Sequence, residues 1–170
     1  MGGLSPPRPL GPEDDRSRFD CRRDALNGWF RQHAWRNQQA NVSRTSLLCD
    51  TASGEIAAYV TLAAAQIERE RLAKADQRNR PDPVPAALLG QLGVDRRFQG
   101  RGCARSLMMF AFQTVVRLSR EIGCFALITH PLDDEVRAFY RQFGFEDTPF
   151  DPRRSMIVRI KDLTANGFGT

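Results

Sequence analysis

Lysine is nearly absent. Of 25 basic residues only Lys74 and Lys161 are lysines, the other 23 are arginines, and the net charge is +5. Arginine-favouring codons are the plain explanation; a surface that meets phosphate groups is the more specific one. Paired cysteines are also missing. Cys21, Cys49, Cys103 and Cys124 are scattered without a C-x-x-C pair. That speaks against a zinc site, so no metal is expected, and against a disulfide framework; reduced thiols in a cytoplasm fit better. No apolar run approaches membrane-spanning length, and the N-terminus lacks a signal-peptide pattern. No internal repeat is visible. With 170 residues, 41% of them hydrophobic and 26% charged, the chain reads as one globular domain over residues 13–163. Residues 1–12, with four prolines and three glycines, read as a flexible tail holding at most a short strand near Arg8–Leu10. Residues 164–170 read as a C-terminal tail.

Periodicity supplies the elements. Leu26, Trp29, Phe30, His33 and Ala34 recur at helical spacing within a helix expected over about residues 22–40. Residues 44–50 and 55–62, separated by Thr51-Ala52-Ser53-Gly54, read as a hairpin. Residues 63–76 extend that strand and then turn helical. Pro81, Pro83 and Pro85 stiffen a loop before a strand at Leu88–Val94. A helix at Cys103–Glu121 carries a core stripe of Leu107, Met108, Ala111, Val115, Leu118 and Ile122. Met109, Phe112 and Val116 form a second stripe, to be covered by another helix or by a homodimer partner. A strand at Cys124–Thr129 follows. Asp133 or Asp134 caps a helix that presents Val136, Phe139, Tyr140 and Phe143 on one face and ends at Gly144. Residues 145–148 and 155–160 are closing strands. The order predicts an α+β domain with a mixed sheet.

Between the strand at Leu88–Val94 and the long helix lies Asp95-Arg96-Arg97-Phe98-Gln99-Gly100-Arg101-Gly102-Cys103-Ala104-Arg105. Strand, glycine turn and helix aim several backbone N–H groups at one spot, at the positive end of a helix dipole, where an anion can sit. Gly100 and Gly102 let a phosphate approach the main chain, and Arg96, Arg97, Arg101 and Arg105 add positive charge. The turn is no P-loop, because no Lys-Ser/Thr pair follows it. It is a poor dinucleotide fingerprint, because Arg105 stands where a third glycine belongs. A purely structural turn is the alternative.

The spacing Gln99, Gly102, Ala104 resembles the acyl-CoA pyrophosphate loop of the GNAT superfamily of N-acetyltransferases. One helix and one strand downstream, Phe139-Tyr140-Arg141-Gln142-Phe143-Gly144-Phe145 resembles that family's A-x-x-F-Y-x-x-x-G-F signature, with Val136 in place of the alanine. The resemblance implies a mixed, mostly antiparallel sheet of six to seven strands flanked by about four helices. It implies acetyl-CoA as donor to a primary amine, and Tyr140 as the acid that protonates the departing CoA thiolate. Leu92, Gly93 and Val94 would pair with the pantetheine arm. Gln99, Gly100, Arg101, Gly102, Cys103, Ala104 and Arg105 would take the pyrophosphate. Cys103 reads as packing rather than a nucleophile. The base for the amine is His130 or water, and Asp133 stands where the family commonly has asparagine.

Further stretches extend the likeness: Phe19-Asp20-Cys21, Ala25-Leu26-Asn27 with Ala34, Ser43-Arg44-Thr45, Leu89 through Asp95, and Glu121-Ile122-Gly123. These resemble the GNAT toxins of bacterial type II toxin–antitoxin modules over roughly residues 19–163. That implies acetylation of the α-amino group of an aminoacyl-tRNA and a ribbon-helix-helix antitoxin as partner, with no membrane involved. Arg22, Arg23, Arg31, Arg36, Arg78, Arg80, Arg153 and Arg154 are available to meet RNA. Gln91 stands where such toxins often have arginine. The alternatives are a GNAT enzyme acting on a small-molecule or protein amine, and a non-catalytic CoA- or RNA-binding module.

Overall fold

The computed structural model describes residues 2–169. Met1 and Thr170, the outer ends of the two expected tails, lie outside the described residues. In chain order the elements are β1 (Arg8–Pro9), α1 (Asp24–Gln32), α2 (Ala34–Gln39), β2 (Arg44–Cys49), β3 (Ile56–Ile67), α3 (Lys74–Gln77), β4 (Val84–Val94), α4 (Cys103–Glu121), β5 (Ala126–Thr129), α5 (Asp134–Arg141), β6 (Glu146–Asp147), β7 (Met156–Arg159) and α6 (Ile160–Ala165). Short 3-10 turns occupy Arg69–Arg71 and Arg96–Phe98. The strands form one seven-stranded sheet in the order β1-β2-β3-β4-β5-β7-β6. It is mostly antiparallel, with β4 and β5 parallel. The expected α+β class and mixed sheet are present. Six α-helices stand among the described residues rather than about four, because the first expected helix breaks at His33 and α6 forms between the last expected strand and the start of the expected tail.

The chain divides into two compact units, one of residues up to Ala63 with Gly90–Ala111, the other of Ala64–Leu89 with residues from Phe112 onward. In the first unit, three aromatic rings make the centre of the core. Phe30 stacks on Tyr59 at 4.1 Å, and Phe19 meets both edge-on at 4.9 and 5.3 Å. All three are buried, and each such side chain contributes about 1.5–3 kcal/mol of transfer free energy. The Tyr59 hydroxyl donates to Leu26 O at 2.9 Å, which ties β3 to α1.

The N-terminal segment is not a free tail. The Ser5 N–H donates to Cys49 O at 2.8 Å, Leu10 N–H to Thr45 O at 2.9 Å, and β1 pairs with β2. Leu10 is buried, and Gln38 bridges its carbonyl to the Thr45 amide. The prolines that suggested a tail suit an edge strand, where a missing donor costs little.

In the second unit Ile67, Val84, Ala86, Ala126, Ile128 and Ile157 of the sheet form one apolar cluster with Leu72, which follows the 3-10 turn at Arg69–Arg71. Elsewhere in this unit Phe112 lies 6.0 Å from Phe145 and 5.3 Å from Phe168. The Gly169 N–H donates to Gln113 Oε1 at 2.7 Å, and its backbone sits against Val116. The second stripe of α4 is therefore covered at Phe112 and Val116 by the chain's own C-terminal segment rather than by a helix. Ile122, read as core, is 57% exposed because α4 ends at Glu121 and the residue projects past its last turn.

Candidate active site

The first unit holds ten of the residues singled out from sequence. Leu92, Gly93 and Val94 end β4, which runs beyond its last register pair with β5 at Leu89–Thr129. Leu92 and Val94 are half-buried. Gly93 has a packing reason: a Cβ there would lie 3.0 Å from Tyr59 Cε1 and 3.5 Å from Cys21 Sγ. At such distances Tyr59 would have to move and loosen the aromatic core.

Asp95 governs the strand exit. It is fully buried, and its carboxylate accepts from Arg97 N and Nε, both at 2.9 Å, and from the Asp20 N–H at 3.0 Å. Its own N–H donates to Ala57 O at 2.8 Å. Burial pushes its pKa up, but hydrogen bonds from the Arg97 side chain and these amides outweigh that and hold it below the usual carboxylate range. Arg97 also bonds Glu55 Oε1 at 2.8 Å. The sequence had placed Arg97 among the charges around the glycine turn; its guanidinium instead serves two carboxylates. Asp95 and Glu55 were not singled out as functional, since a buried anchor and a charged turn look alike without the fold.

Beyond this anchor comes the glycine turn. Gly100 and Gly102 both have φ of +78°, a region that strains any residue with a side chain. No atom lies within 4 Å of where either Cβ would be. The glycines therefore serve conformation, and the space over the loop is open. Gln99 Nε2 donates to Val94 O at 3.4 Å, which closes the turn on itself. The Ser106 N–H donates to Gly102 O at 3.0 Å. The amides of Cys103, Ala104 and Arg105, earlier in the first turn, have no intrahelical acceptor by helix geometry and face out of the positive end of a 19-residue helix. Cys103 is buried with its thiol 3.6 Å from Phe98 O, and burial pushes its pKa up. It is a packed thiol rather than a nucleophile. Arg101 lies over the Phe98 ring at 5.3 Å and donates to Gly2 O at 3.0 Å, and Arg105 is exposed. This arrangement suits a diphosphate.

Tyr140 belongs to the second unit, on α5. Asp133 caps that helix by accepting the Val136 N–H at 2.8 Å. The Tyr140 ring meets Phe139 at 5.3 Å and Phe145 at 5.2 Å. Only 5% of the residue is exposed. Burial pushes its phenol up to about 12, against the opposing influence of the neighbouring Thr129 hydroxyl. The phenol is thus a proton donor at any physiological pH. The buried Thr129 hydroxyl itself donates to Leu89 O at 2.9 Å. Thr129 was missed because it reads as the last residue of an apolar strand. His130 is exposed, and partial burial with Arg153 nearby lowers its pKa against the influence of Asp151. Its imidazole is neutral at pH 7. Among the described residues no cluster of three or more His, Cys, Asp or Glu could hold a metal.

This fold and these two motifs define an acyltransferase of the GNAT class. The model of the acetyltransferase (GNAT) domain matches residues 46–147, more than half the chain, and the chain belongs to that family. It is 36% identical over 165 residues to the tRNA-acetylating toxin of Mycobacterium tuberculosis, covering 97% of this chain and 98% of that protein. It superposes on the AtaT toxin complexed with acetyl-methionyl-tRNAfMet with a TM-score of 0.88 and 27% identity, over 96% and 99% of the two chains. An AtaT variant bound to the C-terminus of its antitoxin AtaR and to acetyl-CoA gives a TM-score of 0.80 at 25% identity, over 96% and 97%.

Proposed function

We propose that this N-acetyltransferase moves the acetyl group of acetyl-CoA onto the α-amino group of an aminoacyl-tRNA and so blocks translation as the toxin of a toxin–antitoxin pair. One observation carries the reading: the likeness to a tRNA-acetylating toxin at 36% identity along nearly the whole of both chains. The site's chemistry supports it. The open turn at Gly100 and Gly102 and the first amides of α4 would hold the diphosphate of acetyl-CoA. The end of β4 at Leu92–Val94 would hold the pantetheine amides. The deprotonated amine attacks the thioester carbonyl, the C–S bond breaks, and the Tyr140 phenol gives its proton to the departing sulfur. His130, neutral near pH 7, or water takes the proton that the amine sheds. Residues 13–163 would act as a single acyltransferase domain in the cytoplasm, where charged tRNA is found. The partner would be a ribbon-helix-helix antitoxin. No helix among the described residues is long and apolar enough to cross a membrane.

The test is in vitro acetylation of a pool of charged tRNAs, read by mass spectrometry. The expected result is acetylated aminoacyl ester with acetyl-CoA present and none with Tyr140→Phe. Turnover of free amines with every charged tRNA left unmodified would overturn the acceptor.

A further inference from the structure

Residues 2–5 form a strap along the edge of the first unit, beside the end of β2 and the turn that follows it. Leu4 makes an antiparallel bridge with Asp50. The Gly3 carbonyl accepts from the Thr51 N–H at 2.8 Å and from its hydroxyl at 2.9 Å. Ser5 donates its N–H to Cys49 O and accepts the Cys49 N–H on its hydroxyl at 3.0 Å. At Gly2 a Cβ would lie 2.6 Å from the Ala52 Cβ and 2.9 Å from its backbone nitrogen. Any side chain there would push the strap off the turn.

At Gly2 the strap meets the glycine turn. Gly2 O accepts from Arg101 Nη2 at 3.0 Å, and the Arg101 guanidinium lies 5.3 Å from the centroid of the Phe98 ring, itself buried. We propose that residues 2–5 are a positioning element of the acyl-CoA site, in which the Gly2 carbonyl and the Phe98 ring hold Arg101 over the turn as a ligand for the coenzyme's diphosphate. This rests on the placement of that diphosphate at Gly100–Gly102 and adds both a side chain and the segment that aims it.

Without the strap Arg101 has little to aim it. Its chain neighbours, Gly100 and Gly102, stand at φ of +78° in open space and offer no wall against which a long side chain could settle. A free arginine also has much rotamer freedom to lose on binding. The aromatic face fixes the plane of the guanidinium, and the carbonyl fixes one corner of it. That bond uses a single N–H and leaves the others to make charge-assisted hydrogen bonds to phosphate oxygens. Because the ordering precedes the coenzyme, binding does not have to supply it.

The charge on Arg101 is also the available one. Arg97 serves Asp95 and Glu55, and Arg96 reaches Asp20 at 3.6 Å. Arg101 is held instead by a carbonyl and a ring, neither of which carries charge. The Asp50 carboxylate is close enough to feel it, but its hydrogen bonds go to the Ser53 hydroxyl at 2.7 Å and the Ser53 N–H at 3.0 Å.

The experiment measures Kd for CoA and for dephospho-CoA by calorimetry, which needs no acceptor. The proteins are the wild type, Arg101→Ala, Gly2→Val, a chain lacking residues 2–4, that deletion combined with Arg101→Ala, and Gly102→Val. Arg101→Ala should raise Kd about tenfold, equally for both coenzymes. Gly2→Val and the deletion should each raise it about threefold. In the Arg101→Ala background the deletion should add nothing, because a segment that acts through Arg101 has no further effect once that side chain is gone. Thermal melting shows that each variant folds. A deletion that leaves Kd unchanged, or losses that simply add in the combined variant, overturn the proposal. So does an Arg101→Ala loss that vanishes with dephospho-CoA, which would put the guanidinium on the 3′-phosphate. If Gly102→Val also binds CoA as the wild type does, the diphosphate placement itself falls, and the proposal with it.

Discussion

The Thr129 hydroxyl donates to Leu89 O at 2.9 Å, at the last register pair of β4 and β5. The same hydroxyl neighbours the Tyr140 phenol and opposes the rise in its pKa. On the acid role proposed for Tyr140, the Thr129 proton would swing to the phenolate left when the phenol protonates sulfur, and Thr129 would be a positioning residue for Tyr140. Thr129→Val should lower kcat about tenfold, the equivalent of one charge-assisted hydrogen bond, and leave KM for acetyl-CoA alone. Thr129→Ser should restore kcat. Equal losses in Val and Ser variants would mean that the methyl group, not the hydroxyl, matters.

The pH profile follows from two groups. An α-amino group titrates near about 8, so kcat/KM for the acceptor should rise with pH to that point. Tyr140 stays protonated because burial pushes it up to about 12. No alkaline fall should therefore appear up to about pH 10, the ordinary tyrosine value. Tyr140→Phe should lower kcat by about a hundredfold or more. The same shift predicts stability. The unfolded phenol ionises near about 10 and the folded one near 12, so this contribution is present below pH 10 and is lost as pH rises between the two. Chemical denaturation across that range checks it.

Asp95 anchors the turn through a carboxylate with no exposed surface. Asp95→Asn should destabilise the fold by about 2 kcal/mol, the scale of lost hydrogen bonds to a charged group. It should raise KM for acetyl-CoA more than it changes kcat. Because the folded pKa is lowered, the wild-type contribution is present above the ordinary carboxylate value. It disappears as pH falls through the folded one. Acid unfolding of wild type and variant should converge there.

Phe168 meets Phe112 edge-on at 5.3 Å. Phe168→Ala should cost about 1 kcal/mol of stability and uncover the outer stripe of α4. Thermal melting and dye binding to exposed apolar surface report both effects.

Much of this was legible from residue order. The boundaries of α4 and the Asp133 cap follow local rules of periodicity and capping, and the structure places them as expected, while α5 ends at Arg141, three residues short of the positive-φ Gly144. What escaped depended on contacts distant in sequence. Phe168 and Gly169 looked like a tail because their partners, Phe112, Gln113 and Val116, lie over fifty residues away. Residues 5–10 looked loose because their hydrogen bonds go to β2. Asp95 and Thr129 were hidden for the same reason. A polar residue reveals its work only when its acceptor or donor is known, and Glu55, Asp20 and Leu89 come from other parts of the chain.

Arg97 closes the question raised by the scarcity of lysine. Its Nε meets Asp95 at 2.9 Å while a terminal nitrogen meets Glu55 at 2.8 Å. An ammonium is a single point and could not span both carboxylates in that planar geometry. Elsewhere on the surface codon usage is free to trade one cation for the other. Here the trade would unfasten the turn from β3, so at this position the arginine is a requirement of shape.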